Sequence, residues 1–98
     1  MRILIVDDEG YKQSQVAHLV KKSEIVKGKV SIDSALALSD ARNLLRERFY
    51  DFLILDLNIS DELGDNPSTT AGSEFIDEIL EVDGLKKPAN IVILSSNE

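Results

Sequence analysis

Residues 2–6, RILIV, place four apolar side chains in succession, three of them β-branched. A run without polar alternation suits a strand covered on both faces, and strands of that kind belong to parallel sheets. A parallel sheet needs a long crossover between strands, usually a helix, and the chain provides one. After Asp7-Asp8-Glu9-Gly10 comes YKQSQVAHLVKK, in which Val16, Leu19 and Val20 fall at i, i+3 and i+4 and predict one apolar helix face. Asp8 and Glu9 stand at its start and Lys21 and Lys22 near its end, as the helix dipole favours.

The alternation continues. Gly28 breaks the helical pattern, and KVSIDSALAL, with Val30 and Ile32 alternating, reads as a second strand. Ser39 is the expected N-cap of a helix over DARNLLRERF, whose Leu38, Ala41, Leu45 and Phe49 share a face. DFLILDLNI is the clearest strand signal. Residues 60–72, SDELGDNPSTTAG, read as loop. SEFIDEILEV follows as a helix, with Phe75, Ile76, Ile79 and Leu80 facing in and Glu74, Asp77, Glu78 and Glu81 forming a solvated face. Pro88 ends the next connection, and NIVILSS is a fourth strand. The order β-α-β-α-β-α-β implies right-handed crossovers and a parallel sheet. Neither internal repeats nor a linker interrupt it.

Ninety-eight residues with 43% hydrophobic and 30% charged side chains make one domain with a real core. There is no cysteine, which excludes a disulfide framework, thiolate catalysis and Cys-based zinc sites. That is compatible with a reducing cytosol, and a cytoplasmic protein is the expectation. No apolar run approaches the ~20 residues of a membrane span, and MRILIVDDE is too short and too acidic for a signal peptide. Eighteen acids against 11 bases give a net charge of −7, which argues against nucleic-acid binding and suits a divalent cation or a basic partner surface.

Two strands end on acids. In an open parallel sheet, ligands bind beyond the carboxyl ends of the strands, where strand order reverses. With the first strand central and the second and third flanking it, Asp7, Asp8 and Asp56 crowd one crevice, since neighbouring strands lie ~5 Å apart. Three carboxylates so placed call for a counter-cation. An oxygen-only set suits a hard ion, most naturally Mg²⁺ with water and a phosphate. A carboxylate beside such an ion can attack a phosphoryl group and form an aspartyl phosphate. Ser95-Ser96, at the end of the fourth strand, offer hydroxyls to phosphoryl oxygens.

ILIVDDE, then YDFLILDLNI, then IVILSS together resemble the receiver domain of bacterial response regulators, in order and over nearly the whole chain. The resemblance implies a flavodoxin-like three-layer α/β fold with strand order 2-1-3-4-5, of which this chain carries 2-1-3-4. It implies Asp56 as phosphoacceptor, Mg²⁺ held by Asp7, Asp8, Asp56 and the backbone carbonyl of Asn58, and Ser95 as the hydroxyl that senses the phosphoryl group. A histidine kinase or phosphotransfer protein would be the donor, and the output partner is unspecified. Compared with the family, the fifth strand, its Lys and the fifth helix are missing, so residues 1–98 read as a receiver incomplete at the C-terminus. Lys86 and Lys87 precede the fourth strand and lie at the wrong end to replace that Lys. Ser60 stands where a Pro is usual, and Ala71-Gly72 best matches the Asp-Gly that opens the third helix, implying an insertion of about eight residues. The fourth strand becomes an exposed apolar edge, so the expectation is either a piece of a longer protein or an assembly that covers this edge, such as a homo-oligomer.

Plainer readings stand beside these. Asp7-Asp8 can be helix-capping acids, Asp56 a polar strand end, and Ser95 a turn serine. Tyr11 can cover the acidic pocket or simply pack, and His18 reads as a helix residue rather than a ligand. Two other functions compete with a phosphorylated receiver. One is a degenerate receiver serving as a phosphorylation-independent interaction module. The other is a haloacid-dehalogenase-type phosphohydrolase, whose DxDx[TV] signature would sit on the first strand, whereas DLNIS has Asn58 for the second Asp and lies on the third.

Overall fold

A computed structural model describes residues 1–22, 30–57, 59–60 and 69–94. Its elements run β1 (Arg2–Val6), α1 (Gly10–Lys22), β2 (Ser31–Ala35), α2 (Leu38–Glu47), β3 (Phe52–Asp56), α3 (Thr69–Glu81) and β4 (Asn90–Leu94). All pairings are parallel, and the sheet order is β2-β1-β3-β4. The flavodoxin-like expectation is thereby met, with β1 inside the sheet.

Alternate residues of β1 explain the layers. Ile3 and Ile5 join Ile54 on one face, against Val16 and Ala17 of α1 and the flanking Val30 and Ile32. Leu4 and Val6 join Leu53 and Leu55 on the other, against Leu38, Ala41 and Leu45 of α2 and Phe75 and Ile79 of α3. A strand whose faces are both dry has no place for a polar side chain until it ends. Register then aligns the ends: Val6 pairs with Ala35 and Leu55, and Asp56 with Leu94.

Several local expectations shift. Leu19 is 68% exposed, and the inward stripe of α1 is Gln13, Val16 and Ala17. Ser39 lies inside α2 and does not cap it. Ala37 is the N-cap, without a side-chain bond, and the Leu38 N–H instead donates to the Ser60 carbonyl at 3.1 Å. Phe49 falls beyond α2 and is exposed. The loop expected over 60–72 gives way to helix from Thr69, and residues 61–68 lie outside the described residues. Leu80 faces solvent rather than core, while Glu78 turns toward α2. There the Arg42 guanidinium bonds it at 2.9 Å and sits 5.5 Å from the centre of the Phe75 ring, tying α2 to α3.

One buried polar contact anchors the β2 edge. Tyr50, fully buried, donates its hydroxyl to Asp33 on β2, which also receives the Arg48 guanidinium at 3.1 Å. Burial, then the bond to Asp33 and its charge, push the Tyr50 phenol up to about 12 from its ordinary value near 10. The folded protein therefore holds this proton more tightly than the unfolded chain. The resulting stability is fully present below pH 10 and is lost as pH rises through 12. The most it can contribute is about 2–3 kcal/mol. Tyr50→Phe should lower unfolding free energy by about 1 kcal/mol at neutral pH. Denaturant titrations of both proteins should show that gap closing between pH 10 and 12; a gap independent of pH would contradict the assignment.

Candidate functional site

Asp7 follows the last residue of β1, Asp56 is the last residue of β3, and Asp8 opens the turn into α1. Because β1 and β3 are paired neighbours with Val6 opposite Leu55, the next residues, Asp7 and Asp56, lie side by side. One carboxylate oxygen from each of Asp7, Asp8 and Asp56 lies within 4.8 Å of the others. Asp7 and Asp56 are 3% and 4% exposed, and Asp8 is half-buried. The three acids singled out in the sequence are thus brought together.

The surrounding main chain holds this arrangement. The Asp7 N–H donates to the Ala35 carbonyl at 3.1 Å, extending the β1–β2 ladder one step past the strand. Asp7 Oδ1 accepts the Glu9 N–H at 2.9 Å, an Asx turn that aims the carboxylate. The Gln13 amide nitrogen donates to the Asp7 and Ala35 carbonyls, both at 2.8 Å. On the other side, the Leu57 N–H donates to the Leu94 carbonyl at 3.1 Å, carrying the β3–β4 ladder past Asp56.

Other expected residues fall elsewhere. Asn58, Ser95 and Ser96 lie outside the described residues, and His18 is exposed on α1. Lys86 and Lys87 are exposed ahead of β4, at the amino ends of the strands, with Lys86 Nζ donating to the Glu47 carbonyl at 3.0 Å. The residue missed in the sequence is Gln13. Its spacing of three and four from Val16 and Ala17 marks it as the polar member of the inward stripe.

The donor set fits a hard divalent cation. All three groups are carboxylates, two are withdrawn from water, and they approach from two strands and a turn. Mg²⁺ binds through a few such oxygens and keeps water in its remaining positions. Like charges held this close in a part-buried crevice are stabilised by an ion between them.

The chain shares its fold, over 100% of its length, with a solved structure of the MaeR response regulator bound to beryllium trifluoride, at a TM-score of 0.74 and 23% identity. It covers 70% of that chain. The receiver fold expected from the three sequence pieces is therefore present; at this identity the likeness is one of fold. In sequence, the chain is 30% identical over 97 residues to the uncharacterized protein y4jS of Sinorhizobium fredii (strain NBRC 101917 / NGR234). That alignment takes in 99% of this chain and 23% of the relative, so the chain spans less than a quarter of its length. No family model matches the chain.

The pairing of Ala71-Gly72 with the start of the third helix has a steric basis. Gly72 is buried in the first turn of α3, and a Cβ built there would sit 2.6 Å from the Leu57 carbonyl oxygen and 3.0 Å from its Cα. Both are backbone atoms of the residue after Asp56, so a side chain must displace either α3 or the end of β3. Gly72→Ala should therefore destabilise the fold by about 1–3 kcal/mol despite alanine's better helix propensity. The melting temperature should fall by several degrees. An unchanged or higher value would show that the two segments part freely.

Proposed function

We propose that this chain is a receiver that accepts a phosphoryl group on Asp56 with Mg²⁺ bound beside it, acting as a signalling domain rather than as an enzyme with a separate substrate. The observation that carries this reading is the convergence of the Asp7, Asp8 and Asp56 carboxylate oxygens within 4.8 Å at the carboxyl ends of adjacent strands. The likeness in fold to a response regulator supports it.

In the proposed reaction, one Asp56 carboxylate oxygen forms a bond to phosphorus as the bond from phosphorus to the donor breaks. With acetyl phosphate, acetate leaves with the bonding pair; with a phosphohistidine of a kinase or phosphotransfer protein, the imidazole nitrogen does. The product is an acyl phosphate on Asp56. Asp7, Asp8, Asp56 and the Asn58 carbonyl would hold the Mg²⁺, which when bound neutralises charge on the transferred group. Asp56 is 4% exposed, so its carboxylate is largely withdrawn from water. The Ser95 hydroxyl would donate to a phosphoryl oxygen. The net charge of −7 suits a basic patch on the donor.

Intact mass after incubation with acetyl phosphate tests the reading. The wild type should gain one phosphoryl group only when Mg²⁺ is present, and Asp56→Asn should gain none. Wild-type protein that is folded yet never modified would overturn phosphoacceptance and leave the degenerate interaction module in its place. Beryllium trifluoride, the ligand of the solved response regulator of like fold, gives a second probe. On a carboxylate oxygen it forms a tetrahedral anionic group without any transfer step.

A further inference from the structure

Gln13 is a buried polar side chain, 9% exposed, on the helix face that packs against the sheet. Its amide nitrogen donates to two main-chain carbonyls, Asp7 and Ala35, both at 2.8 Å. The amide orientation is forced: with oxygen in that place, three acceptors would face one another without a proton among them. Ala35 keeps a partner without Gln13, because its carbonyl also accepts the Asp7 N–H at 3.1 Å. The Asp7 carbonyl belongs to the peptide unit that joins Asp7 to Asp8. A donor on that carbonyl fixes the rotation of the whole peptide plane, and with it the directions in which both carboxylates leave the backbone.

We infer that Gln13 is a positioning residue for the acidic site: its amide locks the Asp7–Asp8 peptide against the ends of β1 and β2, so that two of the three carboxylates are preorganised for a divalent cation. This inference rests on the reading of the Asp7, Asp8 and Asp56 cluster as a Mg²⁺ site. Three features distinguish the role from packing. Val16 and Ala17, at the same stripe of α1, already cover Ile3 and Ile5 with apolar groups. A glutamine in line with them adds a desolvation cost that only its hydrogen bonds offset. Those bonds go to the ends of β1 and β2, and the β1 end carries Asp7 and Asp8. The Glu9 N–H bond to Asp7 Oδ1 at 2.9 Å then transmits the fixed backbone to the carboxylate itself. Groups that orient the ligands of a metal, without touching it, typically influence affinity by 10–100-fold.

The test is Mg²⁺ binding by isothermal titration calorimetry on the 98-residue chain, for wild type, Gln13→Met, Gln13→Asn and Tyr50→Phe. Gln13→Met keeps the length and volume of the side chain and removes the donor. Gln13→Asn keeps the amide but shortens its reach, and serves if the methionine variant does not fold. Tyr50→Phe loses a buried hydrogen bond far from the acids and reports what general destabilisation does. Melting temperatures without metal place the variants on one stability scale. The expected result is Mg²⁺ affinity about tenfold or more weaker in the Gln13 variants and unchanged in Tyr50→Phe. Folded Gln13 variants that bind Mg²⁺ as the wild type does would overturn the inference and leave Gln13 a structural clasp, with the metal site intact. A folded wild type that binds no Mg²⁺ would instead overturn the site reading itself, and this inference with it.

Discussion

β1 must satisfy two dry faces at once, and the rest of the molecule follows from that. Ile3 and Ile5 need α1; Leu4 and Val6 need α2 and α3. A helix on one side alone would leave half of the strand wet, so the chain crosses the sheet on both sides and the strands run parallel. Parallel strands share their carboxyl ends on one edge of the sheet. The same burial forbids polar side chains within β1 and β3 and therefore displaces their first acids, Asp7 and Asp56, to that edge. Core packing and site formation are one constraint seen at two points along the strand.

That edge carries the least comfortable chemistry in the fold. Two carboxylates, Asp7 and Asp56, are almost fully withdrawn from water beside a third. The surrounding main chain is correspondingly well tied. Both ladders extend one bond past the strands, at Asp7 to Ala35 and at Leu57 to Leu94. Gly72 lets α3 close directly on the Leu57 peptide, and the Ser60 carbonyl caps α2. Each tie limits how far the acids can move apart to relieve their repulsion. A cluster of carboxylates so placed is of the kind that can hold a metal ion.

What could be read from the chain divides along physical lines. β1 and β3 were legible because burial on both faces leaves continuous apolar runs, and the acid triad was legible because it marks where those two runs stop. Helix rotation was not. Val16, Leu19 and Val20 satisfy a helical period, yet so does a stripe through Gln13, Val16 and Ala17, and the second is the one facing the sheet. Hydrophobicity alone favours leucine inward; two carbonyl acceptors at the strand ends favour glutamine there, and those acceptors exist only once β1 and β2 have paired. The start of α2 failed for a related reason. Ser39 has the side chain of a cap, but the Leu38 N–H is met by a carbonyl 22 positions further along the chain, at Ser60, and such partners leave no local signature. The fit of Gly72, in the first turn of α3, against Leu57 is likewise a tertiary contact without a local signature.

β4 shows the opposite balance. Val92, Ile93 and Leu94 are 40%, 48% and 38% exposed, so alternate residues present apolar surface on both sides of the sheet. Only Ile91 packs on the core cluster shared by α2 and α3. The sequence reading of an exposed apolar edge is met among the described residues, where β4 pairs with β3 alone. Its register with β3 is nonetheless complete, from Phe52 with Asn90 to Asp56 with Leu94, so backbone pairing, not side-chain burial, holds it in place. The consequence falls on the site. Asp56 is flanked by a fully covered strand on one side and a half-covered one on the other.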